Sequence, residues 1–331
     1  MTLEVLRSMD RNLALEIVRV TEAAALASAA WVGRGDGREA DNAATEAMRE
    51  CFDGIAFKGR VVIGEGERDE APMLYIGEEV GGGDGPEVDI AVDPLECTNS
   101  VAYGRPNALA VIAVAPKGKL LHAPDTYMEK IAAGPEAAEA IDLNVSPEEN
   151  IGRVAECLGY KIPELTVVIL DRERHEYLIS RVRKTGARIH LIPDGDVSSA
   201  IAAAMPSTGV NLLMGIGGAP EGVLAAAALR CIGGAMQGRL VPRNQEERER
   251  AKRMGIEDIN KVFGIEELAQ GEETMFAATG VTNGDLLHGV LFRKDGATTE
   301  SLVLRQSSGT RRYIKSYHYF RERHPVTILD Q

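Results

Sequence analysis

The densest chemistry in the chain lies at Asp93, Pro94, Leu95, Glu96, Cys97, Thr98 and Asn99, directly after an apolar, β-branched run at 88–92. A strand that ends in a carboxylate, a proline turn and a second carboxylate three residues on brings two hard oxygen ligands to one point. The backbone amides that follow can face an anion. Mg2+ and Mn2+ favour such oxygens and take the rest of their shell from water and phosphate. The plainer reading is an acidic turn capping a short helix. A second acidic run, Gly64, Glu65, Gly66, Glu67, Arg68, Asp69 and Glu70, begins where another apolar run, 60–63, ends. Its four carboxylates repel one another unless water or a cation screens them, so taken alone it reads as a solvated loop. Two acidic strand ends within about thirty residues, together with Asp41, could form a two- or three-metal cluster that aligns water and phosphate for in-line displacement.

Three further groups could serve a phosphate ester. Gly215, Gly217, Gly218 and Gly222 surround Pro220 and Glu221 in a glycine-rich turn that opens a helix. Glycines permit close backbone approach, and proline suits the first helical position; a structural turn explains them equally well. Arg172 and Arg174 follow the apolar run 165–170 and offer planar forks suited to phosphate oxygens. Strand ends of this kind are where α/β sheets bind ligands. Asp194 and Asp196 after the next strand could accept bonds from sugar hydroxyls, or could form a plain turn and N-cap. His175 and His190 show no metal-ligand spacing and read as surface or satisfied core residues.

Residues 13–31 show the stripe of an amphipathic helix, and Asp41 is placed to cap a second helix reaching residue 51. Strands are expected at 60–63, 88–92, 108–115 and 119–122, the last two joined by a turn at 116–118. From 165 onward strand (165–170), helix (173–185), strand (187–192), helix (197–205) and strand (211–214) alternate at βαβ spacing, which implies a layered and partly parallel unit. An alanine-rich helix follows at 223–232. The charged run 243–253 reads as the solvated face of a helix, and short strands return from 275. The fold class is α/β, with an N-terminal metal-binding α+β lobe at 1–160 and a C-terminal substrate-binding α/β lobe at 161–331, packed as one unit.

A chain of 331 residues suits two lobes around a shared core. A net charge of −13 leaves no basic field for nucleic acid, though it allows a small phosphorylated substrate in a local cationic pocket. No apolar run is long enough to span a bilayer, and the first ten residues lack a secretory pattern, so a cytoplasmic protein without membrane partners is expected. Cys51, Cys97, Cys157 and Cys231 form no CxxC pair and give neither a zinc site nor a disulfide framework. Cys51, Cys157 and Cys231 sit among apolar residues and read as buried.

In chain order, the segments Trp31-Val32-Gly33-Arg34-Gly35-Asp36, Val62-Ile63-Gly64-Glu65-Gly66-Glu67, Asp69-Glu70-Ala71-Pro72-Met73-Leu74, Asp89-Ile90-Ala91-Val92-Asp93-Pro94-Leu95-Glu96, Ala123-Pro124-Asp125-Thr126-Tyr127-Met128-Glu129-Lys130, Pro193-Asp194-Gly195-Asp196-Val197 and the run 215–222 resemble the class II fructose-1,6-bisphosphatases, including the bacterial dual fructose/sedoheptulose bisphosphatases. The resemblance runs from about 13 to 319. That family lies within the metal-dependent, lithium-sensitive phosphatases that include inositol monophosphatase. The resemblance implies a layered α/β/α/β/α sandwich, assembly as a homo-oligomer (dimer or tetramer), and Mg2+ or Mn2+ held by Asp41, Glu65, Asp93, Glu96 and Glu221. It implies substrate contacts from Glu96, Cys97, Thr98, Tyr127, Arg172, Glu173, Arg174, Asp194, Gly195, Asp196 and Gly218. Thr98, Glu65 and Asp69 would orient and deprotonate the attacking water.

The implied reaction removes the 1-phosphate of a sugar bisphosphate. The rivals are a monoesterase for inositol or sugar monophosphates and a non-catalytic sugar-phosphate sensor. One departure bears on the second rival. Cys97 stands where family members usually carry glycine, at a turn that favours a positive φ or close approach. A thiol there would lie near metal and a helix start, which depress a thiol pKa.

Overall fold

The computed structural model describes residues 12–66 and 72–320. Helix α1 (Leu13–Ala29) turns Leu13, Ile17, Val20 and Ala24 inward, and α2 (Gly37–Phe52) does the same with Ala40, Ala44, Met48 and Phe52. Spacings of three and four residues let a helix bury one stripe. The cap of α2 is Asp36 rather than Asp41: the Glu39 amide donates to the Asp36 carboxylate at 3.1 Å. Asp41 stands inside the helix, just past its first turn.

Strands β1 (Lys58–Ile63), β2 (Glu79–Val80), β3 (Glu87–Glu96) and β4 (Leu109–Pro116) come next, with the short α3 (Thr98–Ala102) between the last two. The middle of the chain supplies β5 (Tyr127–Ala133), α4 (Pro147–Leu158), β6 (Thr166–Leu170), α5 (Glu176–Thr185), β7 (Arg188–Ile192), α6 (Val197–Ala202) and β8 (Leu212–Gly218). It continues through α7 (Ala219–Ile232), β9 (Ala235–Val241), α8 (Gln245–Arg253), β10 (Phe263–Gly264) and α9 (Ile265–Leu268). The chain then returns with β11 (Met275–Gly280), β12 (Leu291–Arg293), β13 (Gly296–Arg305) and β14 (Thr310–Tyr319).

Among the described residues these strands form two sheets. The first runs β12-β13-β11-β4-β3-β1-β2, with β14 also paired to β13; the second runs β10-β9-β5-β8-β6-β7. Only β1 with β3, and β6 with β7 and β8, pair in parallel. The alternation of strand side chains distributes the apolar residues between layers. On β4, Leu109, Val111, Ala113 and Ala115 face the central core, while Ala110, Ile112 and Val114 face α1 and α2. On the second sheet, Val168 and Leu170 face the centre, and Val167 and Ile169 face α4 and α5. Helices α6, α7 and α9 share the central core with both sheets. The order is helices, sheet, helices, sheet, helices: the layered α/β/α/β/α sandwich.

Several expectations change. Residues 119–122 form no strand; only Leu120 makes an isolated bridge, to Ala269. The run 215–222 is not a turn, because β8 continues through Gly218 and α7 starts at Ala219. Strands β5 and β9 were not among the expected strands: β5 has no period-2 alternation, whereas β9 has one, with Met236, Gly238 and Leu240 buried. The sheets also divide the chain differently from a cut at 160: β5 belongs to the second sheet, and β11 to β14 return to the first.

Helix α7 lies between two sheets and is enclosed all round. Ala225, Ala226, Ala227 and Ala228 are each at most 1 % exposed. Small side chains let a helix fit in that space at native packing density. Ala226→Leu should therefore overpack the central core and cost about 1–3 kcal/mol. Urea unfolding followed by circular dichroism checks this, and an unchanged midpoint would show that the layer has slack.

Candidate active site

A cleft of about 550 Å³ opens where elements of both sheets end. Asp41 reaches it from α2, Glu65 from the segment after β1, and Asp93 and Glu96 from the last residues of β3. Cys97 and Thr98 follow at the start of α3, and Glu221 stands in the first turn of α7. The second sheet contributes Tyr127 from the start of β5, Arg172 and Arg174 after β6, Asp194, Gly195 and Asp196 after β7, and Gly218 at the end of β8. The exception is Glu173, which is exposed and does not line the cleft. Asp69, with Glu67, Arg68 and Glu70, lies outside the described residues.

Packing these acids against protein disfavours their charged forms. Glu65 is pushed up to about 8, by burial first and then by the charge of Asp41. Glu96 is likewise pushed up to about 8 by burial, with Asp196 adding to the effect. Asp93 is raised well above its ordinary value by burial, and by Glu96, Glu65, Glu221 and Asp41 in turn. Burial raises Asp41 and Glu221 as well; Lys130 partly offsets the shift at Glu221. One oxygen of Glu96 accepts from the Val197 amide at 2.8 Å, but its Oε2 and the Oε2 of Glu221 are buried without a hydrogen-bond partner among the described residues. Buried polar atoms of this kind demand a partner. No group of three or more His, Cys, Asp or Glu among the described residues is arranged to hold an ion unaided. A cation here would complete its shell with water and ligand oxygens.

The opposite wall carries positive charge. Arg172 Nη2 lies 3.4 Å from Asp194 Oδ1, and Arg174 places Nε and Nη2 on the Ile216 carbonyl at 3.0 and 2.8 Å. Asp196 takes the N-cap position of α6, but its carboxylate makes no capping bond and instead meets Lys130 Nζ at 2.5 Å. Lys130 also donates to the Gly218 carbonyl at 2.8 Å and is 2 % exposed. The glycines at the end of β8 make room for these groups. A β-carbon at Gly217 would overlap the Asp196 carboxylate, and one at Gly218 would overlap that of Glu221. The space a sequence reader assigns to an approaching ligand is filled by the protein's own acids.

Sequence reasoning passed over Lys130 and Arg243. Lys130 carried a detectable signal: it shares a strand face with Met128 and Ala132, and a lysine between two inward positions marks a buried charge. Arg243 carried none, because its charged run resembles a solvated helix. His175 is a satisfied core residue, with Nδ1 2.8 Å from the Leu170 carbonyl and Nε2 accepting from the Ile216 amide at 2.7 Å. The cysteines differ from expectation: Cys231 is buried, Cys51 half-buried and Cys157 exposed. Cys97 adopts φ +69° and ψ +48°, the left-handed conformation, which costs a residue with a β-carbon roughly 1–2 kcal/mol. The protein around its thiol raises the pKa, by burial first and then by the charges of Glu96 and Asp194.

A profile of a family described as "Bacterial fructose-1,6-bisphosphatase, glpX-encoded" matches residues 11–318. A D-fructose 1,6-bisphosphatase class 2/sedoheptulose 1,7-bisphosphatase of Synechococcus sp. (strain JA-3-3Ab) is 50% identical, over 94% of this chain and 96% of its own length. The similarly described protein of Trichodesmium erythraeum (strain IMS101) is 49% identical, over 95% and 98%. Among solved structures, an inositol monophosphatase from Anabaena (Nostoc) sp. PCC 7120 shares 11% identity over 59% of this chain and 71% of that one, with a TM-score of 0.32, too slight a likeness to support an argument.

The raised carboxyl groups predict how stability varies with pH. Glu65 and Glu96 titrate near 4.5 when unfolded and near 8 when folded, so between these values the folded state holds protons that the unfolded chain has released. In a chelator, the melting temperature should fall as pH rises from about 4.5 to about 8, and Glu65→Gln should make that fall shallower. Thermal unfolding across the window checks this; equal slopes in the two proteins would contradict the assignment.

Proposed function

Because this chain belongs to the glpX-encoded bacterial fructose-1,6-bisphosphatase family, we propose that its cleft hydrolyses the 1-phosphate of fructose 1,6-bisphosphate and also accepts sedoheptulose 1,7-bisphosphate. The products of the first reaction are fructose 6-phosphate and inorganic phosphate, which makes the protein a phosphoric monoester hydrolase. The observation that supports this most directly is the arrangement of charge: five carboxylates from four separate stretches of chain line one cleft with Arg172, Arg174 and Arg243.

Asp41, Glu65, Asp93, Glu96 and Glu221 are the residues to hold divalent cations, Mg2+ or Mn2+. They fit: all are oxygen donors, all are raised in pKa by burial, and Glu96 and Glu221 each keep a buried oxygen without a partner. Bound cations would neutralise this charge and make water nucleophilic at neutral pH.

The phosphate to be cleaved rests on the turn at Cys97 and Thr98, where the first amides of a helix have no partner within it. Thr98 Oγ1 orients the attacking water, and the carboxylate of Glu65, together with Asp69, accepts its proton. Water adds to phosphorus in line with the sugar oxygen; the P–O bond to the sugar breaks, and the sugar oxygen leaves with a proton taken from solvent water. Arg172 and Arg174 clamp the distal phosphate, with Tyr127 beside them. Asp194 and the oxygen of Asp196 not taken by Lys130 accept bonds from sugar hydroxyls, with Gly195 and Gly218 lining the same wall.

The same reading places the protein in the cytoplasm as a homo-oligomer, a dimer or tetramer. Four free cysteines suit a reducing compartment. The long edge strand β14, with Tyr313, Tyr317 and Tyr319 exposed, suits contact with a second copy. No helix among the described residues is long and apolar enough to cross a membrane.

Glu65→Gln should lower kcat for fructose 1,6-bisphosphate by about 10²- to 10⁴-fold, the usual loss when a group that moves a proton is removed. Phosphate release in Mg2+ or Mn2+ measures this, with the melting temperature as a check on folding. Near-normal turnover in a folded variant would remove Glu65 from the mechanism.

A further inference from the structure

The run 243–253 looks solvated in sequence, yet its first residue reaches the cleft. Arg243 lines the cleft beside Arg174, and the two guanidinium groups lie over one ring, that of Tyr127, at 4.9 and 4.7 Å from its centre. Glu247, one turn further on, fixes this placement. It is buried, and it accepts from Arg243 Nε at 2.6 Å, from the Arg243 amide at 2.7 Å and from the Thr126 hydroxyl at 2.6 Å. Thr126 precedes Tyr127, and its carbonyl accepts from the Ala219 amide at 2.8 Å. The Glu247 carboxylate therefore ties the starts of α8 and β5 together, and the Thr126 carbonyl joins β5 to the start of α7. A charge buried this far is retained only when its bonds are made.

The chemistry of the anchored arginine follows from which atoms are used. Its Nε is engaged by Glu247, and its side chain makes no other hydrogen bond among the described residues. The terminal fork of Nη1 and Nη2 is left as a planar pair of donors, the geometry that matches two oxygens of a phosphate. Arg174 is also anchored from behind, but through both Nε and Nη2 on the Ile216 carbonyl. Tyr127 thus carries two arginines whose orientation is set from behind, on the wall contributed by the second sheet.

We propose that Arg243, docked on Tyr127 by Glu247, is a specificity-determining residue that favours esters carrying a second phosphate over monophosphates. The proposal rests on the phosphatase reading above and adds to it a residue from outside the family motifs. Glu247 is a positioning residue that acts through Arg243.

The test compares kcat/KM for fructose 1,6-bisphosphate with that for p-nitrophenyl phosphate, which has no distal phosphate, in Mg2+ or Mn2+. In Arg243→Gln the ratio of the two should fall about 10- to 100-fold, as for loss of a charge-assisted bond, with the change carried by KM for the bisphosphate. Arg243→Lys should restore part of the ratio, and Glu247→Gln should give an intermediate fall, which a purely structural role would not produce. A ratio unchanged in folded Arg243→Gln overturns the proposal while leaving the phosphatase reading intact. A wild-type protein that releases no phosphate from either ester overturns both.

Discussion

Asp41, Glu65, Asp93, Glu96 and Glu221 line one cleft where burial and the charges of their neighbours both disfavour their ionised forms. Such a group cannot remain charged unless positive charge is supplied nearby. The protein supplies some of it: Lys130 is buried against Asp196 and eases Glu96 and Glu221. The remainder is the demand that divalent cations would meet. Lys130 cannot be spared from this balance, because removing one partner of a buried pair leaves the other uncompensated.

The layering gives each sheet its own task. The first sheet and the helix that covers it bring in Asp41, Glu65, Asp93 and Glu96; the second brings in Tyr127, Arg172, Arg174 and Arg243. Helix α7, held between them, adds Glu221 at its start. The sugar phosphate would thus span the seam between the two sheets, with its reacting end on the acidic side and its distal end on the basic side. The position of α7 sets the width of that seam, and the alanines along it keep the two sheets close.

Much of the site could be read in the sequence because its residues sit at strand ends, where an apolar run stops and a carboxylate or arginine begins. Asp93, Glu96, Arg172, Arg174 and Asp194 all follow that rule. Local patterns failed where a residue answers to a distant partner. Asp41 looked like a cap because it opens an apolar stripe, but Asp36 made the bond first. Gly217 and Gly218 looked like a ligand loop, but they make room for Asp196 and Glu221 across the sheet. Arg243 was lost in a charged run because the carboxylate that turns it inward, Glu247, looks in sequence like any other helix surface acid. The central helices and the parallel strands 166–170 and 188–192 were legible from their order along the chain, whereas β9 was passed over although Met236, Gly238 and Leu240 alternate with Gln237 and Arg239.

Cys97 and Gly195 illustrate a dependence between positions almost a hundred residues apart. Gly195, at φ +72°, has no room for a β-carbon because the Cys97 sulfur already occupies that space. A side chain at 195 would be strained by that backbone, and it would also require the Cys97 sulfur to turn away or be removed, as by alanine or glycine at 97. A thiol on one rim of the cleft therefore weighs on which residue the other rim can carry.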